Sequence, residues 1–93
     1  MKAKAALARL RRLGMAAAAG AFGAVVLTDH ALEEARRIGL DEADVIHALA
    51  TASKCAWQPV HGTWKVKGVD RFGMTVVLAV DLQAAAIVVT AFD

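Results

Sequence analysis

The sequence has no tyrosine, one proline and one cysteine, and these shortages exclude some structures. Because Cys55 has no second cysteine to pair with, an internal disulfide is excluded, and a free thiol fits a reducing cytoplasm better than a secreted setting. Aromatic residues make up 5% of the chain and hydrophobic residues 58%, so the core must consist mainly of small aliphatic side chains. A chain of 93 residues has room for one such core, which predicts a single domain over residues 1–93.

Acidic residues are absent from residues 1–12 and scarce in residues 54–71, so the net charge of +2 is unevenly distributed. Residues 28–47, between these stretches, hold six acids against two arginines. The first basic stretch contains Lys2, Lys4, Arg9, Arg11 and Arg12. The second contains Lys54, Lys65, Lys67 and Arg71 against Asp70 alone. This distribution permits an anionic partner at either basic stretch.

No apolar run is long enough to cross a membrane as a helix. Residues 13–27 form an apolar run of 15 residues that includes three glycines, whereas a span needs about 20 residues. Apolar residues recur at spacings of three and four from Ala3 to Ala17, which predicts an amphipathic helix over about residues 2–19. The alternatives are a targeting peptide and a helix lying on a membrane surface.

Periodicity and capping residues predict the remaining elements. Residues 24–27 are predicted to form a short strand, followed by two helices that Thr28 and Asp41 cap and Gly39 separates. From Lys54 the hydrophobic period is two, which predicts four strands. These strands cover residues 55–60, 63–70, 74–82 and 86–92. The predicted fold is α+β: an N-terminal helix, a short strand, a helical hairpin and a mainly antiparallel four-stranded sheet.

The last two predicted strands are apolar on both faces. Val76 and Leu78 alternate with Val77 and Ala79, whereas a sheet covered on one side only should alternate apolar with polar residues. The first helix can cover part of this surface. We therefore expect a partner at the other face, either another protein chain or a second copy of this one.

Two of the three histidines occupy positions suited to proton transfer. His61 enters a loop beside cations, which makes it the best candidate general acid or base. His30 lies in the first turn of a helix, whose positive end favours an uncharged imidazole that hydrogen-bonds or accepts a proton. An ordinary exposed or structural role stays open for both, and His47 is expected to be structural.

Four cations are candidates for binding phosphate: Lys54, Lys65, Lys67 and Arg71. Trp57 is a candidate for stacking on a nucleic-acid base. A solvated basic face and a core tryptophan are the alternatives. The histidines and the cysteine show no metal-ligand spacing, so the sequence predicts neither a metal nor a cofactor.

Three segments resemble known families. Residues 27–45, which begin Leu-Thr-Asp-His-Ala-Leu, resemble the helical hairpin of the DUF4258 family, and residues 76–93 resemble its closing pair of strands. Residues 57–61, Trp-Gln-Pro-Val-His, are similar to the Trp-Gln-Asp-Val-Tyr segment of the motility quorum-sensing regulator toxins, which are mRNA interferases. The resemblance implies a RelE-like fold and an antitoxin protein as partner.

The resemblance also implies roles for individual residues. Gln58 matches the active-site glutamine of the toxins, Lys54 stands near their catalytic lysine, and His61 takes the place of an aromatic hydroxyl. The chain departs from the toxins at residues 90–93, Thr-Ala-Phe-Asp, where their closing lysine is missing.

The sequence therefore predicts a toxin-antitoxin toxin-like domain that binds RNA and cleaves it as a metal-independent endoribonuclease. His61 would be its acid or base, with His30 as a second catalytic candidate, while Lys54 and the other cations hold the phosphate and Gln58 orients it. The alternative is a catalytically inert interaction module on the same fold. The nuclease prediction requires His61 and at least two cations to converge on one concave surface.

Overall fold

A mixed five-stranded sheet forms the centre of the structure, and three helices cover one of its faces. The computed structural model describes residues 1–92; Asp93, which ends the predicted closing strand pair, lies outside the described residues. The helices are α1 (Ala3–Ala18), α2 (Asp29–Arg37) and α3 (Glu42–Ala50). The strands are β1 (Val25–Leu27), β2 (Lys54–Gln58), β3 (Thr63–Val69), β4 (Thr75–Leu82) and β5 (Ala86–Phe92). A short 3-10 turn, Phe22–Ala24, precedes β1.

The strands lie in the order β1-β5-β4-β3-β2, and neighbouring strands are antiparallel except for β1 with β5. This arrangement confirms the predicted α+β fold. The sheet has five strands instead of four because the short strand β1 joins it as a parallel edge. Val25 pairs with Ala86, and the Thr28 N–H donates to the Val88 carbonyl at 3.0 Å.

Local capping determines where α2 and α3 begin, as predicted. The Thr28 hydroxyl accepts the Ala31 N–H at 3.1 Å, and Asp41 and Asp44 form a reciprocal capping box at the start of α3. Gly39 between the two helices has φ +84°, a left-handed conformation that glycine adopts at little cost.

The core lies between the helices and the sheet face that they cover, and it consists of aliphatic side chains. The largest fully buried residues are Leu10, Leu49, Leu78, Val45, Val66, Val80 and Val88. Two glycines allow α3 to approach its neighbours closely. A Cβ on Gly68 of β3 would lie 1.9 Å from the Ala48 carbonyl oxygen, and one on Gly14 of α1 would lie 2.4 Å from the Ala50 nitrogen. α3 is therefore held tightly between β3 and α1.

α1 differs from the other two helices in how it begins, and its buried side differs from the predicted stripe. Ala6 and Leu10 of its predicted stripe are buried, but Ala3 is exposed and Gly14 joins the buried side. Lys2 stands at its N-cap without a side-chain capping bond, and its first turn contains no acid. Among the helices of residues 1–92, none is long and apolar enough to cross a membrane.

The two faces of the sheet differ in their cover. On the face under the helices, Leu78 and Val80 are fully buried. On the opposite face, which we call the open face, Val77, Ala79 and Ile87 are only half-buried. Apolar side chains thus lie on both faces of the last two strands, while the partner predicted for the open face stays a prediction.

Candidate functional site

A hollow of about 630 Å³ lies on the open face beside the loop that joins β2 to β3. Three of the predicted site residues line it: His61, Gln58 and Lys65. The other lining residues are Gly62, Thr63, Ala79, Asp81, Val89, Thr90 and Phe92. This open-face hollow therefore combines an imidazole, an amide, an ammonium group, a carboxylate and two hydroxyls.

A tight loop positions His61 beside Gln58. The N–H groups of His61 and Gly62 both donate to the Gln58 carbonyl, at 3.1 and 2.9 Å. Gly62 has a left-handed φ of +64°, and Thr63, which pairs directly with Gln58, begins β3. Because Pro59 has no N–H to donate to a neighbouring strand, β2 ends at Gln58 and does not extend to residue 60 as predicted.

A β-bulge in β5 shapes the wall opposite this loop. Val80 pairs with Val88 while Ala79 pairs with Thr90, so Val89 is an extra residue between the two pairs. A bulge bends its strand and redirects side chains, and here both Val89 and Thr90 line the hollow. Regular alternation did not predict this wall, because no glycine or proline marks the bulge.

Three exposed lysines on the open face, Lys54, Lys65 and Lys67, form what we call the lysine row. Lys54 and Lys67 are directly opposite each other across β2 and β3, and Lys65 lies two residues along β3. All three line a shallow hollow of about 190 Å³ that shares Lys65 with the open-face hollow. Within residues 1–92 none of them forms an ion pair. Because like charges directly opposite destabilise a strand pair, the lysine row costs the fold some stability.

Arg71, the fourth predicted phosphate-binding cation, is engaged elsewhere. It lies in the turn between β3 and β4, where its guanidinium donates to Asp44 at 2.9 Å and to Asp41 at 2.7 Å. The hydrogen bond from Arg71 lowers the pKa of the buried Asp44 to about 2, and the same bond raises the pKa of Arg71. Arg71 therefore ties this turn to the start of α3 and stands apart from the lysine row.

Trp57 lies on the opposite side of the sheet from the lysine row. Its side chain is half exposed and packs against Trp64, with ring centroids 5.2 Å apart and planes tilted by 58°. Trp64 belongs to the covered face, where it is buried. Trp57 is therefore unable to stack a base over the open-face hollow.

His30 and His47 also lie away from the open-face hollow. His30 is exposed in the first turn of α2, which packs on β5, and it lines neither of the two hollows. The Nδ1 atom of His47 lies 2.9 Å from the Val69 carbonyl oxygen, which ties α3 to the end of β3. His47 thus has the structural role expected of it.

The structure brings part of the predicted site together. His61, Gln58 and Lys65 share the open-face hollow, and Lys54 and Lys67 continue from it along the sheet. The predicted convergence of His61 with at least two cations is not met inside the hollow, where Lys65 is the one lysine or arginine among the described lining residues. The arrangement offers a row of phosphate contacts that leads to a single imidazole.

Asp81 is a residue of the hollow that sequence reasoning missed. It interrupts the apolar run of β4 and accepts a hydrogen bond from the Gln83 side-chain amide at 2.8 Å. A lone carboxylate in an otherwise apolar strand is the signal that could have identified it. In the part of the chain that the structure describes, no group of three or more His, Cys, Asp or Glu residues is placed to hold a metal ion.

A comparison of the chain with models of known protein families gave no match, and a search of curated proteins gave none either. The resemblance to the DUF4258 family and to the motility quorum-sensing regulator toxins therefore stays a prediction.

Proposed function

We propose that the open face binds single-stranded RNA, as the toxin-like member of a toxin-antitoxin pair acting in the cytoplasm. The observation that carries this proposal is the lysine row, in which three exposed ammonium groups that form no ion pair within residues 1–92 lead to a hollow that contains His61. A row of cations along two strands fits a chain of phosphates better than it fits one isolated anion.

The open-face hollow supplies groups for cleavage of the bound strand. In this reaction the His61 imidazole removes the proton of a ribose 2′-hydroxyl, and the oxygen attacks the adjacent phosphorus. The bond to the 5′-oxygen breaks, that oxygen takes a proton from the imidazolium or from water, and a 2′,3′-cyclic phosphate forms. Lys65 stabilises the charge that develops on the phosphoryl oxygens, and Gln58 donates a hydrogen bond to one of them.

Binding and cleavage are tested with two variants. We expect Lys65→Glu/Lys67→Glu to weaken binding of a fluorescent single-stranded RNA about tenfold or more, because two phosphate contacts become repulsive. The slope of log affinity against log salt should fall by about 1.4, since each contact to a single strand contributes about 0.7. His61→Ala should retain binding and lose the cyclic-phosphate product, measured by gel electrophoresis of end-labelled RNA.

The control is Arg12→Glu/Arg36→Glu, which changes the net charge equally at two exposed helix positions. If this variant weakens RNA binding as much as Lys65→Glu/Lys67→Glu does, the lysine row has no special role. Cleavage that continues at the wild-type rate in His61→Ala would remove the catalytic part of the proposal and leave RNA binding.

A second function is favoured by the apolar residues of the same face. Val26 and Phe92 are each 45% exposed there, beside half-buried Val77 and Ile87. A partner chain or a second copy that covered them would make the domain an inert interaction module. Wild-type protein that forms a stable dimer in sedimentation velocity and has no affinity for RNA would favour this function.

A further inference from the structure

We propose that the RNA path continues from the lysine row around the β2 edge of the sheet to the first turn of α1, where Lys2 and Lys4 bind further phosphates. This inference rests on the proposed function and adds a segment to its binding surface. It implies a substrate strand long enough to reach from one side of the sheet to the other.

A direct contact places the start of α1 at the β2 edge. The Cys55 thiol of β2 donates to the Ala3 carbonyl at 3.3 Å. Lys54 precedes Cys55 in the chain, and Lys2 and Lys4 flank Ala3, so all three lysines project from backbone next to this contact. Each of them is exposed. The cations of α1 therefore continue those of the open face.

The edge between the two groups of cations is open. β2 is the last strand of the sheet on this side. Two of its exposed residues, Lys54 and Ala56, combine a cation with a small side chain on the open face, so a backbone could reach the edge there without meeting a bulky group. The half-exposed Trp57 lies further along β2, on the side of α1, where it lines a hollow with Met1. Lys2, Lys4, Lys54, Lys65 and Lys67 then form one basic band that bends around the edge.

The cations of the first turn of α1 do not serve the helix itself. The positive end of a helix disfavours cations, and α1 begins with Lys2 and Lys4 and has no acid in its first turn. α2 and α3 begin instead with a capping side chain and at least one acid. A lysine on an edge strand, such as Lys54, can prevent strand pairing between molecules. Lys2 and Lys4 lie at the start of a helix, so this function does not explain them.

The shape of the band favours RNA over a membrane surface. A lipid surface is nearly flat on the scale of this domain and cannot contact the open face and the start of α1 together, because they lie on opposite sides of the sheet. A flexible single strand can bend around the edge and contact both.

The test compares RNA lengths. We expect Lys2→Glu/Lys4→Glu to weaken binding of a single strand of about twelve nucleotides about tenfold, and to change binding of one of about four nucleotides less than twofold. Lys65→Glu/Lys67→Glu should weaken binding of both lengths. The matched control Arg12→Glu/Arg36→Glu should bind both like wild type, and circular dichroism of every variant checks folding.

Each other outcome identifies which idea fails. Equal loss for the short and the long strand, or equal loss in the control variant, would show that Lys2 and Lys4 act through net charge and would overturn the extended path. Wild-type affinity for the long strand in Lys2→Glu/Lys4→Glu, with binding to vesicles of anionic lipid abolished, would assign these lysines to a membrane surface. Wild-type protein that binds neither strand would overturn the proposed function itself.

Discussion

The cations of β3 and the cation in the turn after it differ in the partners that the surrounding structure provides. Arg71 follows β3 and donates to two carboxylates, Asp41 and Asp44, that also form the capping box of α3. Lys65 and Lys67, within β3, have no ion pair in residues 1–92, and Lys67 faces another lysine directly. Arg71 therefore stabilises the fold, whereas the repulsion between Lys67 and Lys54 destabilises it.

This difference separates structural charge from charge available to a ligand. A cation whose donors are already satisfied by carboxylates gains little from a phosphate, because the new contact replaces an existing one. Binding of an anion between Lys54 and Lys67 is favoured for two reasons. The anion attracts both ammonium groups, and it relieves the repulsion between them. The contrast explains why only three of the four predicted phosphate-binding cations belong to the proposed site.

The largest expected effect comes from disrupting the packing of α3 on β3, which positions the carboxylate partners of Arg71. A Cβ on Gly68 would lie 1.9 Å from the Ala48 carbonyl oxygen of α3. We therefore expect Gly68→Ala to push α3, with Asp44, away from β3 and to lower the free energy of unfolding by about 3 kcal/mol. Urea denaturation followed by circular dichroism measures this loss.

Gly23→Ala is the matched control for this prediction. A Cβ added to Gly23 would meet no atom of residues 1–92 within 4 Å, and Gly23 does not have a positive φ. Its replacement should therefore change the free energy of unfolding by less than about 0.5 kcal/mol. A Gly68→Ala variant as stable as this control would mean that α3 does not pack as closely on β3 as the Ala48 contact requires.

A smaller effect is expected from removing the charge of Asp44, one of the two carboxylates to which Arg71 donates. Asp44→Asn keeps an oxygen that can cap α3 but loses the charged hydrogen bond, which should cost about 1.5 kcal/mol at pH 7. Because the folded pKa of Asp44, about 2, lies below the ordinary value of 3.8, its contribution is present above pH 4 and disappears as the pH falls towards 2. Wild type should therefore lose more stability than Asp44→Asn between pH 5 and pH 2.

Thermal unfolding of both proteins across this pH range measures the difference. Asp29→Asn, in the exposed first turn of α2, serves as the control and should follow the wild-type curve closely. Parallel curves for wild type and Asp44→Asn would show that the Arg71 contact contributes nothing to the pH dependence of stability.

Sequence reasoning predicted the parts of the fold that depend on neighbouring residues. Thr28 and Asp41 were correctly predicted as caps and Gly39 as a helix end, because each acts on backbone within a few residues. The change of period near Lys54 placed four strands for the same reason. The parallel pairing of β1 with β5 joins distant segments, and no local signal predicts it.

The candidate site was predicted less completely, because its geometry depends on tertiary contacts. Strand alternation correctly placed Lys65 and Lys67 on one face, and the loop after β2 brought His61 next to Gln58. Arg71 was assigned to phosphate because its carboxylate partners lie 27 and 30 residues earlier in the chain. Opposing charges that meet only through folding are invisible to charge counting along the sequence.

The smallest expected effect comes from removing the repulsion between Lys67 and Lys54. Lys67→Glu places an acid opposite Lys54, so the cross-strand repulsion becomes an attraction and the free energy of unfolding should rise by about 0.5 kcal/mol. The same change removes one contact of the lysine row, so RNA affinity should fall. Lys67→Met, which removes the charge without reversing it, should lie between wild type and Lys67→Glu in both measurements. If either variant loses stability together with RNA affinity, Lys67 stabilises the fold. The lysine row would then not be a set of cations kept available for a ligand.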